Sequence, residues 1–400
     1  SLRVALLLGL TSITRGNRGV IILTIMILTL VGLNLLFVPS LLAGLVSGSN
    51  DKLITTYSGD IVIMSGSDKT PLLDDVRNML LRVTGILGVA AATPRNSLLS
   101  QMSFEGNRAT ATVYGIQPDS ERQVFKVDKY LTEGSYLVPE DRDQILLGIQ
   151  LAGAGRPNLE FYSRSLQNVH AGDRIKVTFG NGVQKDFTVK GIFYAEFIQT
   201  DLQAFITETE FESIMPEAKN RAAYIHVKTV DDKNLQPIVE QISNLGSDLK
   251  IITWSDNAGI MRSMTDSFNA IKTILSIVNI LVAGFTVFIL TYIDVTSRRK
   301  QIGIQRAIGI TSSAITLAYL MRAVFLALLG TILAGLIFLK VVTPIEALYP
   351  FHFPFGAVYL QAGPADLAGM AIILLGVSLV AAFLPVRGVT RMRLMDAIWG

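Results

Sequence analysis

The chain has 400 residues, of which 50% are hydrophobic and 17% are charged. Its mean hydropathy of +0.46 is too high for an ordinary soluble protein of this length, so a membrane protein is the first class to test. The formal net charge is +3, and the sequence contains no cysteine. Disulfide frameworks and thiolate metal sites are therefore excluded.

The first predicted elements are a short interfacial helix and a membrane span. Residues 1–19 carry three arginines and no acid, and they are predicted to form a cytoplasmic amphipathic helix on the inner membrane surface. The alternative is an extension of the helix that follows. Residues 20–46 contain no charge and exceed the about 20 residues that cross a bilayer, so they are predicted to be transmembrane helix 1. The run is too long for the core of a cleaved signal. Asn34 is its notable polar residue.

Residues 47–272 have mixed composition and are predicted to form an extracytoplasmic domain. Strand–helix–strand patterns near both of its ends predict an α+β fold. The segment between them, about 117–205, is rich in alternating strand patterns, and Gly180-Asn181-Gly182 marks a hairpin within it. We therefore expect a second, β-rich lobe inserted into the first.

A second membrane span, predicted at 273–293, is followed by a short basic helix predicted at 297–310. This helix mixes basic with aliphatic side chains, which is typical of a helix lying at the inner membrane face. Its candidate functional residues are Arg298, Arg299, Lys300, Ile302, Ile304, Arg306 and Ile308. The pattern alone is equally consistent with a membrane anchor that has no partner.

The last third of the chain predicts two further spans. Transmembrane helix 3 is expected at 311–339, where Arg322 is the single charge, and an extracytoplasmic loop at 340–366 follows it. Transmembrane helix 4 is expected at 367–386, before a cytoplasmic tail at 387–400. The sequence thus predicts a membrane protein with an α-helical bundle of four transmembrane helices and a two-lobed α+β domain inserted between helices 1 and 2.

The distribution of basic residues predicts the orientation of the spans. Residues 1–19, 294–306 and 387–400 together have a net charge of +8, whereas residues 48–272 contain 23 basic and 28 acidic residues. Because basic segments close to spans stay in the cytoplasm, both termini are predicted to be cytoplasmic. The large domain is then periplasmic or extracellular, and the protein is expected in the inner or plasma membrane.

The sequence lacks the motifs of common catalytic sites. It has no G-x-x-x-x-G-K-[ST] loop for nucleotide phosphates and no G-x-S-x-G nucleophile turn. The three histidines, His170, His226 and His352, are far apart along the chain, and His226 is expected on the surface of a strand. We therefore expect a non-catalytic chain without metal or cofactor residues, and no nucleic-acid partner.

The segment after the second span resembles a known family. RRKQIGIQRAIGITSSAI (298–315), followed by Gly330 and Gly335, resembles the FtsX-type permease domain of MacB, FtsX and the lipoprotein-releasing permeases of the LolC and LolE type. The closing segment 384–400 matches the tail of that family in part. Similarity to the MacB-like periplasmic domain is carried by residues 143–152, 169–182 and 187–206. The likeness covers nearly the whole chain.

This resemblance implies the permease subunit of an ABC transporter. ATP and magnesium would be bound by a dimer of separate ATPase subunits, docked beneath a pair of permeases that are identical or related chains. The helix around 299–310 would be the ATPase-coupling helix. Movement of the ATPases would pass to the outer domains by mechanotransmission and extract or export a hydrophobic substrate such as a lipoprotein, lipid, peptide or drug. Membrane lipid and an extracytoplasmic adaptor or substrate protein would be further partners.

Arg322 departs from the family pattern, which often has a glutamate early in the third span. An arginine in the middle of a span costs about 2.5–3.5 kcal/mol on insertion scales. We therefore expect its side chain either to face the helix bundle or the seam between two permeases, or to extend to the inner headgroups.

Three other functions fit parts of the sequence. A translocator of small molecules would need a polar path, but the spans have few polar residues beyond Asn34 and Arg322. An FtsX-like signalling subunit that activates an extracytoplasmic enzyme usually has a smaller outer domain. A membrane-anchored binding receptor would not need the basic helix.

Overall fold

The computed structural model describes residues 18–67, 71–232, 234–246, 248–257, 259–353 and 356–390. Residues 1–17 of the predicted interfacial helix and residues 391–400 of the predicted tail lie outside the described residues. The chain divides into a helical unit and a large domain. The helical unit comprises Ser1–Val46, Thr265–Phe351 and Val358–Gly400, and the large domain comprises Ser47–Met264 and His352–Ala357.

The α-helices are numbered in chain order. They are α1 (Arg18–Lys52), α2 (Val76–Thr84), α3 (Pro118–Val124), α4 (Ile149–Ala152), α5 (Ile198–Asp201), α6 (Glu208–Ile214), α7 (Gln236–Ser243), α8 (Trp254–Asn257), α9 (Gly259–Ser297), α10 (Arg299–Ala307), α11 (Ser312–Ile337), α12 (Thr343–Leu348) and α13 (Pro364–Thr390). Four of them, α1, α9, α11 and α13, are long and apolar enough to cross a membrane.

The four apolar helices share one core in the helical unit. Leu28 and Leu36 of α1, Ala334 of α11 and Leu374 of α13 are buried together in it. Glycine permits close contact between α1 and α11, because a methyl group on Gly330 would lie 2.7 Å from Cβ of Leu28. Small residues at such crossings are typical of helix packing in membranes.

The strands of the large domain are β1 (Ile61–Ser65), β2 (Val89–Phe104), β3 (Asn107–Ile116), β4 (Leu131–Gly134), β5 (Gln144–Gly148), β6 (Arg174–Phe179), β7 (Gln184–Phe193), β8 (Gln203–Thr207), β9 (Tyr224–Thr229) and β10 (Leu249–Thr253). Two short strands, β11 (Phe351–Phe353) and β12 (Gly356–Val358), form a separate pair. All ten strands of the large domain belong to one continuous sheet, of which β2 is the longest strand.

One half of the sheet is an α+β sandwich built from the two ends of the domain. Its strands run β10-β1-β9-β2, each antiparallel to the next. Helix α2 connects β1 to β2 and helix α7 connects β9 to β10, and both helices contribute to one core with Ile61 and Ile225. This double strand–helix–strand arrangement is the ferredoxin-like, split βαβ topology.

The other half of the sheet closes on itself. β2 pairs with β3, β3 with β8, β8 with β5, β5 with β7, β7 with β6, and β6 again with β2. Val113, Ile145, Val177 and Phe187 fill the interior of this ring of six strands. The hairpin predicted at Gly180-Asn181-Gly182 joins β6 to β7. Because the ring includes β3 and part of β2, it begins before the predicted lobe segment 117–205.

Candidate functional site

The basic helix predicted at 297–310 is present as the separate nine-residue helix α10. Arg298 has a non-helical conformation, with φ −105°, and separates α10 from α9. Gly309 follows α10 with φ +95°, a conformation that glycine adopts without strain, and thereby ends the helix. Thr311 then caps α11 by accepting a hydrogen bond from the backbone N of Ala314.

One side of α10 is fixed to the ends of three apolar helices. Ile302, which is only 2% exposed, belongs to a cluster with Val295 of α9, Ile315 of α11 and Val386 of α13. Burial of one such side chain contributes about 1.5–3 kcal/mol. α10 is therefore packed against the ends of α9, α11 and α13 through one apolar cluster.

The opposite side of α10 is uncovered. Ile304 is 55% exposed and Ile308 is 73% exposed. Lys300, near the start of α10, is also exposed. Arg299 and Arg306, three residues before and four residues after Ile302, lie nearer the packed side and are partly exposed. The uncovered side therefore presents apolar and basic groups together, a composition suited to a protein surface with an apolar groove and acidic rim.

A buried charge cluster lies immediately before α10. Asp294, one turn from the end of α9, accepts from Nη1 of Arg322 and lies 3.3 Å from Nε of Arg298. Arg322 is 5% exposed. Of the two positions expected for Arg322, the structure therefore has the one inside the helix bundle. The cluster joins α9, the start of α10 and α11 through charge-assisted hydrogen bonds, which are stronger than neutral ones.

A small cavity of about 40 Å³ adjoins this cluster. Its polar lining residues are Thr24 of α1, Thr291 and Asp294 of α9, and Tyr319 and Arg322 of α11, and apolar side chains such as Leu28 and Leu326 line the rest. The volume suits one water molecule. α1 thus also borders the charge cluster, although it contributes no charge to it.

Asn34, the other polar residue expected within the membrane, lies elsewhere. It is exposed on α1, and the structure does not bring it to Arg322. Sequence reasoning missed two polar residues of α9, Asp294 and Asn279. Asp294 stands four residues before Arg298, a spacing that brings helical side chains together and could have indicated the pairing. Asn279 is half-buried in the middle of the apolar run of α9.

The α1 junction is a second polar cluster, formed where residues 52–58 at the end of α1 enter the large domain. Lys52 donates to the backbone O of Ala195 at 2.9 Å and pairs with Glu196 at 3.2 Å. The hydroxyl groups of Thr56 and Thr200 lie 3.0 Å apart. The end of α1 is therefore held by the loop between β7 and β8.

The same junction contains a buried ion pair. Arg95 pairs with Glu121 through Nε at 3.0 Å and through Nη2, and it donates to the backbone O of Tyr57 at 3.2 Å. Its guanidinium carbon also lies 3.8 Å from the centre of the Phe125 ring. Arg95 thereby connects the end of α1 to β2 and α3.

His226 corrects an expectation from the sequence. It was expected on a strand surface, but it is buried on β9, with Nδ1 2.8 Å from the backbone O of Ser58. The alternation of strand residues cannot reveal this, because the end of α1 covers that face of the sheet. Burial, with the nearby charge of Arg95, lowers the pKa of His226 to about 3.

A buried carboxyl group lies beside Lys52 in the junction. Asp201 accepts hydrogen bonds from the backbone N of Ala195 at 2.7 Å and of Phe197 at 3.2 Å. Burial raises the pKa of Asp201 to about 7, although these two donors act to lower it.

Within the residues that the structure describes, no group of three potential ligands could hold a metal ion. His170 contacts a single acid, Glu133, at the surface. Of the charges described above, Arg322 pairs with Asp294, Arg95 with Glu121 and Lys52 with Glu196.

Comparison with known proteins finds a family match in the last third of the chain and similar sequences over most of it. Residues 273–394 match the FtsX-like permease C-terminal family. LolC, the transmembrane protein of the lipoprotein-releasing system of Neisseria meningitidis serogroup B, is 23% identical over 352 residues, covering 81% of this chain and 81% of LolC. MacB, the macrolide export ATP-binding/permease protein of N. meningitidis serogroup A, is 23% identical over 84% of this chain. This chain spans 50% of that MacB.

Two solved structures are similar to the chain over about half its length. The periplasmic region of MacB from Actinobacillus actinomycetemcomitans has a TM-score of 0.37 and 17% identity, covering 50% of this chain and 92% of that one. The extracellular domain of the ABC-type transporter YknZ has a TM-score of 0.36 and 10% identity, covering 48% and 99%. From the family and sequence matches, this chain carries an FtsX-like permease domain and is homologous to the LolC and MacB permeases of ABC transporters.

Proposed function

We propose that the chain is a non-catalytic permease subunit that transmits the movement of separate ATPase subunits across the membrane to its large domain. The observation that carries the proposal is the two-sided packing of α10. Ile302 fixes it to the ends of three apolar helices, while Ile304 and Ile308 remain exposed. A helix held in this way can receive a partner on one face and pass its displacement to the bundle from the other.

The charge distribution supports a cytoplasmic position for α10. The segments 294–306 and 387–400 are basic, and the large domain has more acidic than basic residues. Basic segments next to spans are retained in the cytoplasm, so α10 faces the compartment that contains ATP. The large domain then lies on the periplasmic or extracellular side.

Two features supply a path from α10 toward the large domain. Asp294 and Arg322 connect the start of α10 to α11. α1 is continuous from Arg18 to Lys52, so one helix extends from the membrane into the α1 junction. The end of this helix is held in the α1 junction by Lys52, through Ala195 and Glu196.

The proposed substrate is hydrophobic and is extracted or exported. The relatives named above release lipoproteins or export macrolides, and both substrates partition into membranes. In this proposal ATP and magnesium bind in the partner ATPase dimer. A second permease, an extracytoplasmic adaptor or substrate protein, and membrane lipid complete the assembly.

The test uses the purified chain with its ATPase partner in nanodiscs. Reversal of charge in Arg299→Glu with Arg306→Glu is expected to reduce co-purification of the ATPase or its stimulated ATP hydrolysis several-fold. The matched control is Arg174→Glu with Lys176→Glu, two exposed charges on β6 of the large domain. Unchanged assembly and hydrolysis in the first variant would leave α10 as an anchor and favour a membrane receptor.

A further inference from the structure

An open groove of about 670 Å³ lies between α9 and α13 in the helical unit. Gly284 of α9 and Gly376 of α13 line it, and a methyl group added to Gly376 would have no atom within 4 Å. The other lining residues are aliphatic or aromatic, and two of them, Phe285 and Leu384, are 65% and 62% exposed. The groove is therefore apolar, and the described residues leave it uncovered.

The groove has about the length of one bilayer leaflet. On α13 it runs from Ile372 to Leu384, which at about 1.5 Å per residue is about 18 Å. Half of a hydrocarbon core of about 30 Å is about 15 Å. Val295 and Val386, near the ends of α9 and α13, belong to one cluster, so the two helices end at the same side of the helical unit. The groove thus lies in the leaflet next to these two ends.

A polar recess of about 580 Å³ follows the groove along α9. Tyr292, Thr296, Arg299 and Lys300 line it. Phe288 of the groove, Tyr292 and Thr296 are spaced four residues apart and so share one helix face. The rings of Phe288 and Tyr292 stack, with their centres 6.3 Å apart. Groove and recess are therefore consecutive along α9.

α13 carries a basic residue at the same end. Arg387 is exposed and lies seven residues after Val380 and three after Leu384, both of which line the groove, so it continues their face. We call Arg299, Lys300 and Arg387 the basic end of the groove. None of the three forms an ion pair with an acidic residue that the structure describes. The apolar groove thus opens at positive charges that lack a counter-charge within the described helices.

We propose that the groove binds an anionic phospholipid, with an acyl chain between α9 and α13 and the headgroup phosphate at the basic end. The inference goes beyond the proposed function, from which it takes only that α9 and α13 span the membrane with their basic ends in the cytoplasm. Basic pockets between membrane helices on the cytoplasmic side bind anionic headgroups. Tyr292 then lies at the level of the headgroups, where tyrosine is enriched.

Other occupants match the groove less completely. A neutral lipid would fill the apolar part but leave three positive charges without a partner. Free phosphate would bind the basic end and leave the apolar part empty. A second copy in the same orientation would bring its own basic end to the same level, so that like charges would oppose one another. Only a lipid with a negative headgroup complements both parts.

Native mass spectrometry of the full chain, delipidated in detergent, tests the headgroup site. Phosphatidylglycerol is expected to bind several-fold more tightly than phosphatidylcholine with the same acyl chains. Lys300→Gln with Arg387→Gln should weaken phosphatidylglycerol binding about five-fold per charge, since a basic residue near an anionic surface contributes about 1 kcal/mol. Phosphatidylcholine binding should stay unchanged. The matched control is Lys272→Gln with Lys340→Gln, which removes two charges near the opposite ends of the spans.

A second variant tests the acyl-chain site. Gly376→Leu fills the groove, and the open space around Gly376 lets the helices keep their packing. It should weaken the binding of phosphatidylglycerol and of phosphatidylcholine several-fold. Leu333→Phe, which adds bulk at an exposed position of α11, should leave both affinities unchanged.

Four results would overturn the proposal. Equal affinities of wild type for the two lipids would show a groove that takes any acyl chain. An equal loss in the Lys272 and Lys340 control would show attraction by overall charge. Displacement of phosphatidylglycerol by glycerol phosphate at similar concentrations would show a site for free phosphate. A disulfide between two copies of Gly376→Cys in native membranes would place a second copy in the groove.

The lipid site and the proposed function can fail separately, because no ATPase is present in the lipid measurements. Selective lipid binding together with unchanged hydrolysis in Arg299→Glu with Arg306→Glu would remove the proposed function and keep the lipid site. Equal affinities for the two lipids together with reduced hydrolysis in that variant would do the reverse.

Discussion

Two buried arginines of the described residues lie beside opposite charges. Arg95 has Glu121, and Arg322 has Asp294. A buried pair contributes little net stability, but removal of one member leaves the other unpaired in a poorly solvated site. The stability of the large domain should therefore be sensitive to a single charge in the α1 junction.

Glu121→Gln tests this sensitivity. The variant keeps the shape of the side chain but leaves the Arg95 guanidinium without its counter-charge. We expect the free energy of unfolding of the large domain to fall by about 3–5 kcal/mol, measured by urea titration of the full chain. Glu240→Gln, at an exposed position on α7, should change it by less than about 0.5 kcal/mol. Equal losses of stability in Glu121→Gln and Glu240→Gln would show that the Arg95–Glu121 ion pair does not account for the loss.

Asp201 predicts a pH dependence of the α1 junction. Because the folded-state pKa is raised to about 7, its stabilising contribution is present below its unfolded value of about 4 and is lost as pH rises through 7. His226 acts in the opposite direction, since its pKa is lowered to about 3 and its contribution is lost as pH falls below about 6.5.

The comparison of wild type with Asp201→Asn isolates the carboxyl group. Between pH 5 and pH 8, wild type should lose stability relative to the variant, on the order of a few kcal/mol at about 1.4 kcal/mol per pKa unit. The measurement is the midpoint of urea unfolding at each pH. Parallel profiles for the two proteins would show that Asp201 does not titrate in this range.

At the residue scale, the sequence predicted polar positions better than it predicted their partners. Arg322 is evident from the sequence as a charge in an apolar run, whereas Asp294, 28 residues earlier, is a single acid within a basic segment. Their contact depends on how α9 and α11 are rotated, which composition does not specify. His226 was misplaced for a similar reason, since its cover comes from a distant part of the chain.

At the scale of helices, the contact between α1 and α11 depends on glycine. Added methyl groups would lie 2.7 Å from Cβ of Leu28 at Gly330 and 2.8 Å from Cβ of Ala334 at Gly32. Gly376 of α13 has nothing within 4 Å of such a group. Gly330, which lies against a neighbouring helix, and Gly376, which does not, are therefore a matched pair of sites for substitution by alanine.

Gly330→Ala should destabilise the helical unit by about 1–3 kcal/mol, because the backbones must separate. Gly376→Ala should leave it unchanged or slightly more stable, since alanine favours helix. Thermal unfolding in detergent, followed by loss of the monodisperse gel-filtration peak, measures both. A loss at Gly376 equal to that at Gly330 would argue against a close crossing.

Helix positions were predictable from hydropathy, but helix ends were not. The apolar run predicted at 273–293 lies inside α9, which begins at Gly259, and the run at 20–46 lies inside α1, which continues to Lys52. Hydropathy marks where the chain is apolar, whereas a helix ends where its backbone hydrogen bonds find other partners. The closed ring of strands was equally beyond local patterns, because β2 and β6 lie about 75 residues apart.

At the scale of the whole molecule, the proposed transmission needs α10 to be connected to the bundle by more than covalent continuity. Ile302 supplies an apolar contact, and the Asp294–Arg322 ion pair supplies a directional one.

Loss of the Asp294–Arg322 ion pair can lower the stability of the helical unit or the transmission of movement from α10, and an experiment has to separate these two effects. Removing both charges separates them, because no fully buried charge is then left unpaired and only the partly exposed Arg298 loses its carboxylate partner.

Asp294→Asn alone should reduce the amount of folded chain in membranes, since it leaves the buried Arg322 without its partner. Arg322→Met should reduce it less, because Asp294 keeps its ion pair with Arg298. The double variant should recover near wild-type levels, because paired removal of buried charges is often neutral or stabilising. If the pair transmits movement, the assembled double variant should nevertheless show ATP hydrolysis that is several-fold less responsive to substrate in nanodiscs. Wild-type responsiveness in a stable double variant would assign the pair to folding alone and leave Ile302 as the contact that moves the bundle.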